Sequence, residues 1–254
     1  MTSTHPEARE ARAAAAGAPV KRSYVQRIFS EIAPRYDLLN HLLSVGIDKA
    51  WRRAAIARLG WERHPTGWYL DLCAGTLDVG AALARRRGFK GHVVAADFAE
   101  PMLRAGAGKA SRDVLAPVVA DALALPVATD SCDGAIVAFG FRNVADLDAG
   151  FAEVLRLLAP GARFVILDLS TPRSVVVRTL YQLYFHHVLP LIGGIVSGHR
   201  TAYRYLPESV ANFPETGALA ARMSAAGFVN VEYRTLSFGI AAMHVGEKGT
   251  ATAG

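Results

Sequence analysis

The sequence predicts an α/β fold in which a mostly parallel sheet is flanked by helices. Short apolar runs alternate with helix-like segments between Trp68 and Leu169, which is the order of elements in such folds. The runs are apolar almost throughout, as expected of strands that are covered on both faces. The chain has 254 residues, 52% of them hydrophobic and 20% charged, so it can form one globular domain with a sizeable core.

The bounds of the predicted elements follow from periodicity and from turn residues. Pro34 separates two helices at the start, because proline disfavours the helical conformation in the residue before it. An inserted section of about residues 174–209 separates the fifth strand from the last helix. In chain order the elements are helices Tyr24–Ile32 and Leu38–Leu59, strand Trp68–Leu72, helix Val79–Arg87, strand His92–Asp97, helix Pro101–Arg112, strands Pro117–Ala120 and Gly134–Phe139, helix Leu147–Leu158, strand Arg163–Leu169, helix Glu215–Ala226, and strands Val229–Leu236 and Gly239–Val245.

The start of the chain and its longest apolar stretch bear on location. Residues 1–20 are rich in Ala, Arg and Glu and lack the apolar core of a secretory signal, so they are interpreted as a disordered tail before a single domain at 21–248. The stretch Leu180–Val196 contains Pro190 and is too short to cross a bilayer comfortably. We expect a cytoplasmic protein, in solution or peripheral at the inner face of the cell membrane.

Charge and cysteine content argue against several classes of protein. The net charge is +6 and the pI is about 9.5, but the basic residues are scattered, which argues against nucleic acid as a partner. An anionic membrane surface is compatible with the same charge. Cys73 and Cys132 lie far apart without Cys or His at metal-ligand spacing, so we expect neither a metal site nor a disulfide.

Small and acidic residues follow the first three predicted strands. Ligands of open α/β sheets bind at the carboxyl ends of the strands. The first strand runs into the turn Asp71–Asp78, whose small residues let a ligand approach the backbone. Asp97 ends the second strand, where its carboxylate can accept hydrogen bonds from both ribose hydroxyls of an adenine nucleoside. After the third strand, Asp121 can accept from the adenine amino group, and Ala122 leaves room for the ring.

Each of these features also has a purely structural interpretation: a tight turn, a solvated acid at a strand end, and an Asx-turn cap. A dehydrogenase of the same architecture would carry G-x-G-x-x-G, but the turn at Ala74–Gly80 reads AGTLDVG. A ligand with adenosine but no diphosphate fits better, and S-adenosylmethionine is such a ligand.

Polar residues also follow the fourth and fifth strands. Arg142 and Asn143 come directly after a buried strand, and a purely structural loop has no need of both, which favours a functional role. Asp168 ends the fifth strand, where it serves either a ligand or the cap of a following helix.

The chain resembles the ubiquinone/menaquinone biosynthesis C-methyltransferases from Val25 to Lys248. Its opening segments are distinctive of that family, and shared methyltransferase architecture alone would not preserve the outer segments. The matching segments include Phe29–Asn40, Ser44–Asp48, Leu70–Asp78, Met102-Leu103, Asp121-Ala122, Phe139–Val144, Leu167–Ser170, Tyr203–Leu206, Phe213-Pro214, Ala226–Phe228 and Gly239–His244.

The resemblance implies a Rossmann-like class I methyltransferase with an N-terminal helical lid. It implies S-adenosylmethionine as the cofactor and C-methylation of a lipid-tailed quinol as the reaction. The sequence of Leu38–Ile47 favours demethylmenaquinol over the 2-polyprenyl-6-methoxy-1,4-benzoquinol of ubiquinone biosynthesis. The alternatives are another small aromatic acceptor and a regulator that binds the cofactor without catalysis.

The residues of the cofactor site follow from the same resemblance, position by position. Those implied to contact the cofactor or to shape its cleft are Gly75, Thr76, Asp97, Asp121, Ala122 and Gly140. For methyl transfer to carbon, a neighbouring hydroxyl of the acceptor must lose its proton. The residues expected to assist this loss of a proton are Arg142 and Asn143, as catalytic residues. Tyr36, Asp168 and Tyr203 are expected as further residues of the acceptor pocket.

Three positions depart from the family pattern. Leu77 stands where glycine is usual, Ala138 where a cofactor-contacting serine is common, and His199 where an acid is frequent. A positive φ at Leu77 would introduce strain of about 1 kcal/mol or more. The segment Thr179–Val196 is expected to cover the lipid tail or to rest against the membrane, with a core or homodimer-interface helix as the alternative.

Overall fold

The computed structural model describes residues 6–16, 20–37, 44, 46–184 and 200–250, with the backbone alone for 6–9 and 200–204. The helices are α1 (Pro6–Ala15), α2 (Lys21–Ile32), α3 (Ile47–Arg58), α4 (Asp78–Ala84), α5 (Glu100–Ala105), α6 (Leu147–Leu157), α7 (Val175–Leu183), α8 (Arg200–Ala211) and α9 (Thr216–Ala225). The strands are β1 (Trp68–Leu72), β2 (His92–Asp97), β3 (Leu115–Val119), β4 (Cys132–Ala138), β5 (Leu158–Leu169), β6 (Phe228–Leu236) and β7 (Ala241–Lys248).

The described strands form one seven-stranded sheet in the order β3-β2-β1-β4-β5-β7-β6. β1 to β5 run parallel, whereas β7 is antiparallel to its neighbours β5 and β6. The predicted fold class is therefore confirmed. The order reverses between β1 and β4, so the chain leaves β1 in one direction for β2 and returns on its other side for β4.

Different helices cover the two faces of the sheet. α3 and α4 pack on one face, and α6 and α9 pack on the other. On the second face, a cluster of aromatic rings joins the helices to the strands, with centroids 4.9 to 6.4 Å apart: Phe141, Phe151, Phe164 and Phe228. Burying one such side chain stabilises the fold by about 1.5–3 kcal/mol, so the strands form a rigid base for the loops at their ends.

The N-terminal region differs from its prediction as a disordered tail, because Pro6–Ala15 forms α1. Alanine has the highest helix propensity of all residues, and Ala11 and Ala14 are small enough to pack closely. Both are buried in a cluster with Tyr24 of α2 and Tyr205 of α8. α1 and α2 thus form part of one cap with α8, on the side of the sheet where the strands end.

Glycine lies at a boundary of two described helices. The helix predicted at Pro101–Arg112 ends early as α5, since Gly106 and Gly108 follow it and Gly108 has φ +84°. Within the helix predicted at Leu38–Leu59, the described helix α3 starts at Ile47, after Gly46 with φ +74°. Residues 38–43 and 45, in the first part of that prediction, lie outside the described residues.

The inserted section contributes α7 and α8 to the described part of the chain. Residues 185–199 lie outside it, so the predicted cover segment Thr179–Val196 is described only at its start and His199 is not described. Among the helices that the structure describes, none combines the length and the apolar character needed to cross a membrane.

Candidate active site

A cleft of about 700 Å³, part of it open to solvent, lies at the carboxyl ends of β1 to β4. Ligands of open α/β sheets bind at such a point, where the strand order reverses. The predicted site residues that line the cleft are Tyr36, Gly75, Asp97, Asp121, Ala122, Gly140 and Asn143. Among the described residues, the predicted Thr76, Arg142 and Asp168 do not line it, and the side chain of Tyr203 lies outside the described part.

The turn after β1 has the tight backbone expected from its small residues. Gly75 has φ +51° and Leu77 has φ +68°, so both are left-handed. A branched side chain in this region is strained by about 1 kcal/mol or more. The Leu77 side chain is only 3% exposed, and a Cβ added to Gly106 would come within 2.8 Å of Leu77 Cγ. Packing of the side chain therefore offsets the strain of its backbone.

Asp97 connects the end of β2 to the turn after β1. Its Oδ2 accepts a hydrogen bond from Gly75 N at 2.8 Å, and its Oδ1 accepts one from Ala99 N at 2.8 Å. Burial raises the pKa of Asp97, although these backbone donors oppose the rise. Each carboxylate oxygen has a second lone pair, so Asp97 can still accept from two hydroxyl groups of a ligand in the cleft.

Asp121 lies at the neighbouring strand end. Its Oδ1 accepts a hydrogen bond from Leu123 N at 3.0 Å, and its Oδ2 pairs with Arg22 Nη2 of α2 at 2.9 Å. Ala122 lines the cleft beside it, and the apolar side chains of Phe98 and Met102 line the same cleft. This part of the cleft combines an acceptor with apolar walls, which suits the amino group and ring of adenine.

Thr76 is buried and donates a hydrogen bond from its hydroxyl to Asp37. Asp37 Oδ2 also lies 2.5 Å from Lys109 Nζ, which in turn lies 2.6 Å from Asp78 Oδ1. Burial disfavours ionisation of Asp78, but Lys109 and Arg52 hold its pKa below the usual value. Thr76 thus belongs to a network of ion pairs and hydrogen bonds that connects the segment after α2 to the turn after β1. Its predicted contact with the cofactor stays a prediction.

Arg142 and Asp168 form a buried ion pair behind the cleft wall. Arg142 Nη1 lies 2.6 Å from Asp168 Oδ1, and the Arg142 backbone N–H donates to Asp168 Oδ2 at 3.1 Å. The guanidinium also donates to Phe139 O and, at 3.4 Å, to Ser209 Oγ of α8. These contacts hold the loop after β4 in place. The predicted catalytic role of Arg142 therefore has to act through this loop or through its charge.

Asn143 faces the cleft from the same loop. Its Oδ1 accepts a hydrogen bond from the hydroxyl of Tyr205 at 3.2 Å. Burial raises the pKa of Tyr205 to about 12, so this hydroxyl stays protonated at neutral pH. Tyr36 lines the cleft near Gly75, with its ring 5.9 Å from that of Phe29. Tyr205 lies in a segment that resembles the family, but nothing in the sequence pairs it with Asn143.

Gly140 and Ala138 set the width of the cleft between β1 and β4. A Cβ added to Gly140 would overlap Cys73 Cβ, so the close approach of these two strand ends requires glycine. Ala138 lines the cleft with a methyl group, and its lack of a hydroxyl removes one hydrogen bond that serine would offer.

Comparison with known proteins identifies the family. The sequence profile of the ubiE/COQ5 methyltransferase family matches residues 18–248. The chain is 49% identical over 223 residues to demethylmenaquinone methyltransferase of Thermus thermophilus, covering 87% of this chain and 100% of that one. It is 42% identical to the ubiquinone/menaquinone biosynthesis C-methyltransferase UbiE of Geobacter sulfurreducens, covering 90% of each.

Solved structures agree with the fold. A SAM-dependent methyltransferase of Thermotoga maritima superimposes with a TM-score of 0.62 at 17% identity, covering 87% of this chain and 98% of that one. The cyclase SpnF superimposes with a TM-score of 0.65 at 14% identity, covering 89% and 96%. The fold alone therefore does not fix the reaction. Family profile and fold together confirm the predicted enzyme class and its cofactor, S-adenosylmethionine, and the chain belongs to the ubiE/COQ5 methyltransferase family.

Proposed function

We propose that the chain transfers the methyl group of S-adenosylmethionine to a ring carbon of demethylmenaquinol, a quinol with a lipid tail. The observation that carries the proposal is the cleft at the switch point of the sheet, where Asp97 and Asp121 present acceptors at neighbouring strand ends. The names of the related demethylmenaquinone methyltransferases support the acceptor. The benzoquinol of ubiquinone biosynthesis is a second candidate, because other relatives carry both pathways in their names.

The residues of the cleft fit an adenosyl cofactor. Asp97 would hold the ribose hydroxyls, Asp121 would accept from the adenine amino group, and Ala122 would leave room for the ring. Gly75 and Gly140 keep side chains away from the ligand. When bound, S-adenosylmethionine supplies an activated methyl group on a positively charged sulfur, so the protein mainly has to align the acceptor carbon with it.

The loop after β4 would face the acceptor. Asn143 is in the cleft and can hydrogen-bond a quinol hydroxyl, with Tyr36 on the side of the turn after β1. Arg142 lies directly behind Asn143 and is nearly excluded from solvent, at 7% exposure. Fixed charge in a water-poor site stabilises charge that develops on the substrate. Because Arg142 is paired with Asp168, it acts as the positive end of a fixed dipole, which would favour the phenolate form of the acceptor without touching it.

We also propose that α7 brings the protein to the membrane from which a lipid-tailed quinol is drawn. Its exposed apolar side chains recur at helical spacing, at Val176, Leu180 and Leu183. Arg173 is exposed just before the helix, and the ring of Phe238 is 86% exposed. Apolar side chains beside basic ones are typical of interfacial helices.

Sedimentation with anionic vesicles tests this membrane contact. The double variant Leu180→Ser and Leu183→Ser should bind the vesicles less than the unaltered protein. If the double variant instead changes from dimer to monomer, these side chains form a homodimer face.

Methyl transfer in detergent micelles tests the reaction and the acceptor together. Purified protein with S-adenosylmethionine is offered demethylmenaquinol and, separately, the benzoquinol analogue, both kept reduced, and products are analysed by mass. We expect a mass gain of one methyl group on demethylmenaquinol. Modification of the benzoquinol alone would assign the other branch. Tight cofactor binding without product from either quinol would contradict the proposed function.

A further inference from the structure

Helix α2 contacts the loops after three strands of the sheet. Its side chains Lys21, Arg22 and Gln26 make polar contacts with the loops after β4, β3 and β2, respectively. The same helix lines the cofactor cleft with Arg22, Val25 and Phe29. One helix therefore connects the loops at three strand ends.

The contact of Arg22 falls on the carboxylate assigned to adenine. Arg22 Nη2 lies 2.9 Å from Asp121 Oδ2, while Leu123 N donates to the other oxygen at 3.0 Å. Two donors on two oxygens fix the rotation of the carboxylate and leave a lone pair on each. The Arg22 side chain is 64% exposed, and ion pairs this open to water contribute little to the stability of a fold. The Arg22–Asp121 ion pair is therefore better explained by a role of the Asp121 carboxylate in ligand binding than by a contribution to fold stability.

We propose that Arg22 is a cofactor-positioning residue. It orients the Asp121 carboxylate towards the 6-amino group of adenine, and closure of α2 over the cleft is thereby part of cofactor binding. This inference rests on the proposed function, because it takes the adenine to lie at Asp121.

Helix α2 also contacts the loop after β4, on the side of the cleft proposed for the acceptor. Lys21 is buried and its Nζ donates to the carbonyl oxygens of Arg142 at 3.0 Å and Val144 at 2.8 Å. These carbonyls flank Asn143, which faces the cleft. A cofactor that stabilises the position of α2 would therefore also stabilise the loop that faces the acceptor.

Calorimetric titration of single-site variants tests the role of Arg22. The ligands are S-adenosylhomocysteine and its inosyl analogue, in which an oxygen replaces the 6-amino group. Arg22→Ala should weaken binding of S-adenosylhomocysteine by about fivefold, the size of one lost hydrogen bond. The same variant should weaken binding of the inosyl analogue less, so the preference for adenine over the inosyl group falls. Arg22→Lys should restore part of this preference.

Arg27→Ala is the matched control, because Arg27 lies on the same helix but pairs with Glu10 of α1, 2.9 Å away. This variant should keep the affinity and the preference of the unaltered protein. Hydrogen exchange of the α2 amides should slow when S-adenosylhomocysteine binds, and this protection should be reduced in Arg22→Ala. Unchanged preference for adenine in Arg22→Ala, or equal losses in Arg27→Ala, would overturn the inference.

Asp121→Ala, which removes the acceptor, separates this inference from the proposed site. If that variant keeps the full preference for adenine, the ring does not lie at Asp121, and the cofactor placement fails together with the role of Arg22. If Asp121→Ala loses the preference but Arg22→Ala does not, the placement stands and only the role of Arg22 is refuted.

Discussion

Replacing Leu77 by alanine and by glycine separates the strain of its backbone from the packing of its side chain. Leu77 is 3% exposed and has φ +68°. Removing a buried leucine side chain typically destabilises a protein by about 2–5 kcal/mol, so both variants should be less stable. Glycine also removes the left-handed strain that alanine keeps, so Leu77→Gly should be about 1 kcal/mol more stable than Leu77→Ala.

Urea unfolding of both variants measures this difference, and Leu219 supplies the control. Leu219 is also buried, at 1% exposure, but lies in the interior of α9. In a helix interior glycine is about 1 kcal/mol less favourable than alanine, so Leu219→Gly should be less stable than Leu219→Ala. The order of the two variants is thus expected to reverse between the two sites. The same order at both sites would refute the assignment of strain to Leu77.

Three further predictions concern charge and cofactor affinity. Burial raises the pKa of Asp71 from 3.8 to about 7, so the folded chain binds this proton more tightly than the unfolded chain. The free energy of unfolding should therefore fall by up to about 4 kcal/mol as the pH rises from about 4 to about 7. In Asp71→Asn this fall should be smaller. Urea unfolding measures both proteins, and parallel curves of unfolding free energy against pH would contradict the prediction. Asp168→Asn leaves the Arg142 guanidinium buried without its counter-ion and should lower the free energy of unfolding by about 3–5 kcal/mol, whereas a loss near zero would mean that the pair does not hold this loop. Ala138→Ser restores a hydroxyl to the cleft wall and should tighten S-adenosylmethionine binding by about twofold to tenfold in calorimetry, with unchanged affinity as the contrary result.

The positions of the cofactor-side residues follow from local sequence. A strand buried on both faces is a short apolar run, so its end is visible in the sequence, and the residue after it lies at the carboxyl edge of the sheet. Asp97, Asp121 and Gly140 could be placed in one cleft on this basis, and the structure brings them together there. Their contacts with a cofactor remain predictions.

The cap over the cleft could not be predicted in this way, because its contacts join residues far apart in the chain. Lys21 of α2 donates to the loop after β4, and Tyr205 of α8 donates to Asn143 in the same loop. Periodicity reports which face of a helix is buried but not which loop a polar side chain on that helix will meet. For the same reason the burial of Arg142 could not be predicted, because the sequence pattern of an arginine after a strand does not show whether its side chain enters the cleft or lies behind the cleft wall.

The location of Arg142 changes what the acceptor side can contribute to the reaction. A guanidinium that touched the quinol would have to be exposed to the cleft, where water would screen its charge. Behind the wall it is held by Asp168 and by the carbonyl of Phe139, so the field that acts through the low-dielectric layer is that of the ion pair. On the proposed function, the side chain that meets the acceptor is the neutral Asn143, which can orient a hydroxyl group whether or not that group is ionised. On the proposed function, orientation and charge stabilisation would be divided between two adjacent residues, whose loop is held by contacts with α2, α8 and Asp168.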